Sequence, residues 1–216
     1  MTTKAMIEAG RKRKVGHRTR QRFNDVPGHL VVGVREGLPS LRKKPVRQCI
    51  IKALVAMQDR FQCRIVEFSI QTNHIHMLAD PTNEAELAKA MKSFKVRVAR
   101  ALNQMWGLKG TFWADRYYFR LVRKVHELRR LIRYVLQNAR KHGMHLPPGP
   151  DFYSSGIWFE KWEGCRGQTF TTEPCPVRPP RDMALGVAHR LPLSLDDLPG
   201  RRHWRPDPAA MEALYG

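Results

Sequence analysis

The order in which helical and strand-like patterns follow one another is the strongest constraint on this chain. Between residues 28 and 143, short apolar stretches of strand length alternate with longer ones whose apolar residues recur every three or four positions. The resulting order is β-α-β-β-α-β-α. Its first six elements match the ferredoxin-like split βαβ arrangement, in which two helices pack on one face of an antiparallel sheet. We therefore predict an α+β fold with two core helices and an added C-terminal helix.

Turn and capping residues set the limits of these elements. The first helix begins at Pro45, a residue suited to a first turn. Asn83 and Glu86 form a capping pair for the second helix, and the third helix covers residues 125–142. The predicted strands cover residues 29–36, 63–70, 73–79 and 116–122.

The two ends of the chain differ in composition from its middle. Residues 11–22 hold seven Lys or Arg and no acid, so we predict that residues 1–27 form a flexible basic tail. Eleven of the 15 prolines follow residue 143, which predicts an irregular extension over residues 144–216. One domain over residues 28–143 lies between them.

Charge indicates the class of partner. The 39 Lys and Arg exceed the 19 Asp and Glu and give a formal net charge of +20, which predicts binding to a polyanion, most simply a nucleic acid. An anionic membrane surface is the rival partner, but no basic amphipathic segment with exposed aromatic residues supports it. Apolar runs of about five residues are too short to span a bilayer, which needs about 20 residues. Without a secretory signal, the predicted location is the cytoplasm, in association with the nucleoid.

The stretch QTNHIHMLADP at residues 71–81 places two histidines on one side of a strand. Alternation directs Ile75, Met77 and Ala79 toward the core helices and His74, His76 and Leu78 to the opposite face. Two imidazoles at such positions are close enough to bind one metal ion. A solvated face with two half-exposed histidines is the alternative.

The last helix carries a polar pair beside its apolar stripe. Tyr134 and Asn138 are four residues apart and therefore lie one above the other on the stripe's border, whereas Gln137 points farther toward solvent. Docking of this helix on the open sheet face would bring the pair to the histidines. The alternative is that Tyr134 is only an amphipathic rim residue.

Basic residues surround this pair. Residues 116–142 contain nine Lys or Arg and one acid, Glu127, whereas an ordinary solvated helix face shows both signs. A surface of one sign suits contact with phosphates. The predicted DNA-binding residues are Arg116, Arg120, Arg123, Lys124, Arg130, Arg133 and Lys141.

Three stretches together resemble a known family, the single-tyrosine HUH transposases. QTNHIHMLADP resembles the HUH motif, GTFWADRYYFRLV at residues 110–122 the Trp-containing stretch, and YVLQNARKHG at residues 134–143 the Tyr-x-x-x-Asn-Pro helix. The resemblance is greatest to the REP-associated tyrosine transposases and their bacterial relatives. Ala139 stands where the family often has proline, which marks a divergent branch.

The resemblance implies a metal-dependent endonuclease and strand transferase that acts on single-stranded DNA, often at hairpins, through a 5′-phosphotyrosine. It implies that Tyr134 is the nucleophile and that His74, His76 and Asn138 are the metal ligands. Such ligands suit Mg²⁺ or Mn²⁺, without excluding zinc. A monomer or a homodimer fits equally well.

Several alternatives stay open at this stage. A nucleic-acid-binding protein of the same fold without catalysis is the main one, and a structural zinc site built from His142, His145 and cysteines has poor spacing. The four cysteines form no CxxC pair, which predicts free thiols. The rival nucleophiles are Tyr117, Tyr118 and Tyr153. Phe112 and Trp113 suit either base stacking or core packing.

Overall fold

The computed structural model describes residues 22–141, 144, 146, 149–165 and 169–195. The predicted basic tail lies outside the described residues except for its last part, where Arg22 is exposed. His142 and His145 are outside as well. Within the described ranges, no helix combines the length and apolar character needed to cross a membrane.

The helices and strands follow the predicted order. They are β1 (Gly28–Gly33), α1 (Lys44–Arg60), β2 (Cys63–Ile70), β3 (His74–Pro81), α2 (Glu84–Met105), β4 (Tyr118–Leu121), α3 (Val125–Leu136), α4 (Asn138–Lys141), a 3₁₀ turn (Ser155–Trp158) and α5 (Met183–Arg190). Pro45 lies in the first turn of α1, as predicted. The Asn83 side chain accepts a hydrogen bond from the Glu86 N–H at 2.9 Å and caps α2.

The four strands form one antiparallel sheet in the order β2-β3-β1-β4. Helices α1 and α2 pack on one face, where side chains such as Ile50 and Phe94 join Leu30, Ile75 and Met77 of the sheet in a buried apolar cluster. This is the split βαβ arrangement, and the predicted fold class is confirmed. All four cysteines are free.

The opposite face of the sheet is covered by α3 and by the described part of the C-terminal extension. Leu78 of β3 packs in a second apolar cluster with Ile132 of α3, Leu185 of α5 and the fully buried Trp162. The sheet therefore has a core on each side, and the residues after 149 supply part of the second one.

Polar contacts also attach the extension to the domain. Arg42 makes a bidentate ion pair with Asp151 at 2.7 and 2.9 Å, and the buried Arg47 pairs with Glu173 at 2.8 Å. The buried Glu67 carboxylate accepts a hydrogen bond from the Ser155 hydroxyl and, at 2.8 Å, pairs with His189 of α5. Such pairs fix where the extension lies, because a buried charge without its partner is costly.

The helix predicted over residues 125–142 is interrupted at Gln137, and its described part is helical on both sides of this break. Helix α3 ends at Leu136, and Gln137 leaves the helical conformation with φ −111° and ψ 12° before the short α4 begins. Gln137 was expected to point toward solvent, but it is buried and its Nε2 donates a hydrogen bond to the Ser194 carbonyl at 2.9 Å. This contact joins Gln137 to a residue 57 positions away in the chain.

Truncation of Trp162 tests whether the extension is part of the folding unit. Trp162→Ala is expected to lower the free energy of unfolding by about 3–5 kcal/mol, because it removes a fully buried indole and its 2.9 Å hydrogen bond to the Gly156 carbonyl. Urea denaturation followed by circular dichroism measures this change. The control Met183→Ala alters a side chain that is 86% exposed and should change it by less than about 0.5 kcal/mol. Equal midpoints for parent and Trp162→Ala would show that the extension contributes no core.

Candidate active site

The two histidines of β3 lie on the sheet face opposite α1 and α2. In the antiparallel register, His76 is paired with Val31 and His74 with Gly33 of β1, while Ile75 and Met77 between and beyond them enter the first core. His76 is buried and His74 is half-buried. The strand therefore separates apolar from imidazole side chains, as its alternation predicts.

The ring nitrogens of these histidines are arranged in a chain. The Nε2 atoms of His74 and His76 are 3.0 Å apart, so both point to the same place. Each Nδ1 has another partner: that of His74 lies 2.8 Å from the Asn73 Oδ1, and that of His76 lies 3.0 Å from the Nε2 of His29.

His29 was not predicted from the sequence as a residue of this site. It is the second residue of β1, where it is paired with Leu78 on β3 and with Arg120 on β4. The planes of its ring and of the His76 ring differ by 22°, with the centroids 5.1 Å apart. His29 could have been predicted, because the split βαβ topology places β1 beside β3. Alternation along β1 then directs His29 to the same face as His74 and His76.

Burial, together with the nearby Arg120 guanidinium, lowers the pKa of His29 to about 4. His29 is therefore a neutral imidazole at physiological pH. A neutral imidazole can accept a hydrogen bond at one nitrogen while it donates at the other.

Tyr134 of α3 meets the imidazoles edge-on. Its ring centroid lies 5.3 Å from that of His76 and 5.6 Å from that of His29, with interplanar angles of 77° and 81°. The side chain is half-buried, and the apolar stripe of α3 packs beside it against the sheet. The docking of the last helix on the histidine face thus brings Tyr134 to the histidines.

Asn138, the other predicted member of the pair, is the first residue of α4 and is fully buried. Neither amide atom of Asn138 hydrogen-bonds to any residue in the described part of the chain, the two imidazoles included. A buried amide without partners is rare, because it loses its hydrogen bonds to water and gains none. Among the described residues, this amide is therefore a polar group without a protein partner.

The rival tyrosines differ in their surroundings. Tyr117 packs half-buried against the first core, and the Tyr153 ring lies 4.5 Å from the Arg42 guanidinium. Tyr118 is 59% exposed and is paired with Val31, so it lies on the histidine face, two strands away from His76. Tyr118 is therefore the only one of these three rivals placed on the histidine face, but β1 separates it from His76.

Phe112 and Trp113 belong to the first core. Both are buried in the first core, and the Trp113 indole N–H donates a hydrogen bond to the Lys95 carbonyl at 2.9 Å. The base-stacking interpretation of these two rings is therefore wrong, and core packing is their role.

The predicted DNA-binding residues lie mostly on the surface. Six of them are exposed, and Arg120 of β4 is paired with His29 of β1 at the edge of the site. The side chain of Lys141 is outside the described structure. The exposed residues are Arg116, Arg120, Arg123, Lys124, Arg130 and Arg133.

Comparison with known proteins identifies the family. The sequence model of the IS200-like transposases matches residues 23–138, which include both histidines of β3, His29, Tyr134 and Asn138. The chain belongs to the IS200-like transposase family. The predicted membership of the single-tyrosine transposases is confirmed, and with it a general role in transposase-type DNA processing.

Two solved structures are similar to this chain to different degrees. A REP-associated tyrosine transposase bound to a REP hairpin is similar, with a TM-score of 0.52 and 18% identity over 60% of this chain and 75% of that one. A proposed transposase from Deinococcus radiodurans R1 has a TM-score of 0.39 and 14% identity over 62% of this chain and 99% of its own. No curated protein matches the sequence.

Proposed function

We propose that this IS200-like protein is a metal-dependent endonuclease and strand transferase for single-stranded DNA, with Tyr134 as nucleophile. One observation carries the proposal. The ring centroids of Tyr134 and His76 are 5.3 Å apart, and the Nε2 of His76 lies 3.0 Å from the Nε2 of His74. A nucleophile beside a pair of convergent imidazoles is more than DNA binding requires. The hairpin bound by the similar REP-associated transposase supports a hairpin substrate.

The residues present fit a divalent ion. Two Nε2 atoms 3.0 Å apart are close enough to bind one cation, and the buried Asn138 amide is a candidate oxygen ligand. Among the described residues, no group of three or more His, Cys, Asp or Glu has the arrangement of a metal site. The protein would therefore supply two imidazoles and an amide, and DNA oxygens and water would complete the shell. Mg²⁺ or Mn²⁺ suits such an oxygen-rich set, and when bound it would polarise the scissile phosphate as a Lewis acid.

Tyr134 performs the covalent step. Its phenolic oxygen attacks the scissile phosphorus, the bond from phosphorus to the 3′ oxygen breaks, and the departing strand leaves as a 3′ hydroxyl after taking up a proton. The 5′ phosphate stays on Tyr134 as a phosphodiester that retains the bond energy. A 3′ hydroxyl of another end then attacks this phosphotyrosine and releases the tyrosine. Packing of α3 on the sheet holds the ring in place during both steps.

The exposed basic residues would hold the backbone of the strand. Arg130 and Arg133 project from α3, the helix that carries Tyr134, and Arg120 lies at the edge of the histidine face. Phosphate contacts position a strand without reading its sequence, so these residues set the register of the scissile phosphate.

Removal of positive charge from α3 and α4 is expected to weaken DNA binding and to reduce the dependence of binding on salt. The change is Arg130→Ala with Arg133→Ala and Lys141→Ala. Each phosphate contact with a single strand releases about 0.7 counterions on binding. Loss of three such contacts should therefore reduce the steepness of log K against log salt by about 2. Fluorescence anisotropy with labelled single-stranded DNA at several salt concentrations measures the slope.

A matched control removes three exposed charges from α1 on the other side of the sheet, namely Lys44, Lys52 and Arg60. This control variant should keep the parent slope. The same slope change in both triple variants would show that net charge, and not the surface around Tyr134, determines binding.

A direct experiment tests the proposed reaction. Labelled hairpin DNA with single-stranded flanks is incubated with the protein and Mg²⁺ or Mn²⁺, and the products are separated by denaturing electrophoresis. The expected result is a metal-dependent, slowly migrating protein–DNA adduct together with a free 3′ hydroxyl fragment. If panels of hairpin and linear strands yield binding but no adduct, the protein is a non-catalytic DNA-binding member of its family.

A further inference from the structure

His29 contacts the site from the side away from the two convergent nitrogens. Its Nε2 lies 3.0 Å from the Nδ1 of His76, whereas the Nε2 of His76 points to His74. Asn73 occupies the corresponding place for His74, with its Oδ1 2.8 Å from the Nδ1. Four side chains thus form one chain of contacts in the order Asn73, His74, His76 and His29.

With one ring proton on each of the three histidines, these distances allow two arrangements of the protons. In the first, the Nε2–H of His29 donates to His76, and the Nε2–H of His76 donates to His74. In the second, His76 carries its proton on Nδ1 and donates it to the Nε2 of His29, which then holds its own proton on Nδ1. In both, the Nδ1–H of His74 donates to the Asn73 oxygen. Only the second leaves the Nε2 atoms of His74 and His76 both free of protons.

We infer that His29 is a positioning residue that accepts the Nδ1–H of His76 and so holds this imidazole in its metal-binding tautomer. The inference rests on the proposed metal site at His74 and His76. Histidine ligands almost always donate their second N–H to such a partner, which fixes the tautomer and the ring orientation. Asn73 performs this task for His74, and His29 performs it for His76.

Two features favour positioning over ligation by His29. Its Nε2 faces the Nδ1 of His76, away from the point where the ligand nitrogens converge. The described residues also include no arrangement in which a third histidine joins the other two around one ion. The backbone supports the role, because β1 is hydrogen-bonded on both sides, to β3 and to β4.

The first test measures metal affinity without any DNA. Mn²⁺ binding to the full-length protein is followed by electron paramagnetic resonance of the free ion. His29→Phe keeps a ring but removes the acceptor, and it should weaken Mn²⁺ binding by about 10–100-fold. His29→Gln offers an amide oxygen as acceptor and should recover most of that affinity. The control His126→Phe changes an exposed histidine of α3 and should leave binding unchanged.

The second test observes the tautomer itself. Nitrogen-15 spectra of the histidine rings, recorded with Zn²⁺ as a diamagnetic probe, should show His76 protonated on Nδ1 in the parent and in His29→Gln. In His29→Phe the signals of His76 should report a mixture of tautomers. Thermal melting of each variant confirms that the fold persists.

Three results would overturn the inference. One is Mn²⁺ affinity in His29→Phe within twofold of the parent. Another is a loss of Mn²⁺ affinity in His29→Phe as complete as that in His76→Ala, together with pulsed electron paramagnetic resonance that counts three imidazoles on the Mn²⁺ bound to the parent. That result would make His29 a ligand. The third is a parent that binds no Mn²⁺, which removes the metal site too. Normal Mn²⁺ binding without any DNA adduct would instead overturn the proposed reaction and leave the role of His29 intact.

Discussion

Tyr134→Phe is expected to abolish both strand cleavage and the covalent protein–DNA adduct. The substitution removes the phenolic oxygen, which is the attacking atom, and leaves the ring 5.3 Å from His76 and its packing on α3 in place. Loss of a nucleophile in covalent catalysis reduces the rate by a factor on the order of 10⁴–10⁶. DNA affinity should stay within a few-fold, because no charge changes. Denaturing electrophoresis for the adduct and anisotropy for binding measure the two quantities separately.

The matched controls are the two tyrosines next to each other in the chain. Tyr118→Phe alters the exposed tyrosine on the histidine face, and Tyr117→Phe alters the half-buried one against the first core. Both variants should form the adduct at the parent rate. An active Tyr134→Phe together with an inactive Tyr118→Phe would show that the exposed tyrosine of β4 is the nucleophile.

The double variant His74→Ala with His76→Ala is expected to lose metal-dependent cleavage while it keeps its fold. Together these side chains provide the convergent pair of Nε2 atoms, and loss of a bound metal removes several kcal/mol of transition-state stabilisation, or about 10³-fold in rate or more. The core should persist, since the neighbouring Ile75 and Met77 pack on the opposite face. Cleavage assays with added Mg²⁺ or Mn²⁺, with circular dichroism as the check on folding, measure both effects.

His126→Ala is the control for this pair, because it removes an exposed histidine from α3. It should cleave like the parent. Cleavage by the double variant at the parent rate, with the same dependence on metal, would place the metal at other residues.

The sequence predicted those features that depend on neighbours along the chain. Alternation along β3 was enough to assign Ile75 and Met77 to one face and His76 to the other, because side-chain direction in a strand has a period of two. The helical period located the apolar stripe that docks α3 on the sheet, and docking brought Tyr134 to the histidines. The order of the elements was enough to predict the fold.

What the sequence did not predict depends on contacts between distant segments. The break of the last helix at Gln137 accompanies a hydrogen bond to Ser194, which no local pattern encodes. His29 of β1 contacts His76 of the neighbouring β3, although the two residues are 47 positions apart in the chain. The contact can therefore be recognised only once the strand order is known. The attachment of the extension through pairs such as Arg42–Asp151 likewise joins residues 109 positions apart.

Peptide mapping of the covalent adduct tests the central claim most directly. The parent protein is trapped with hairpin DNA and Mn²⁺, the DNA is digested to a short remnant, and trypsin then separates the candidate tyrosines. Cleavage after Arg133 and Arg140 places Tyr134 in the peptide YVLQNAR, whereas cleavage after Arg116 and Arg120 places its rivals in YYFR. We predict that mass spectrometry finds a nucleotide phosphate on YVLQNAR. A nucleotide on YYFR, or on any peptide without Tyr134, would contradict the assignment of the nucleophile.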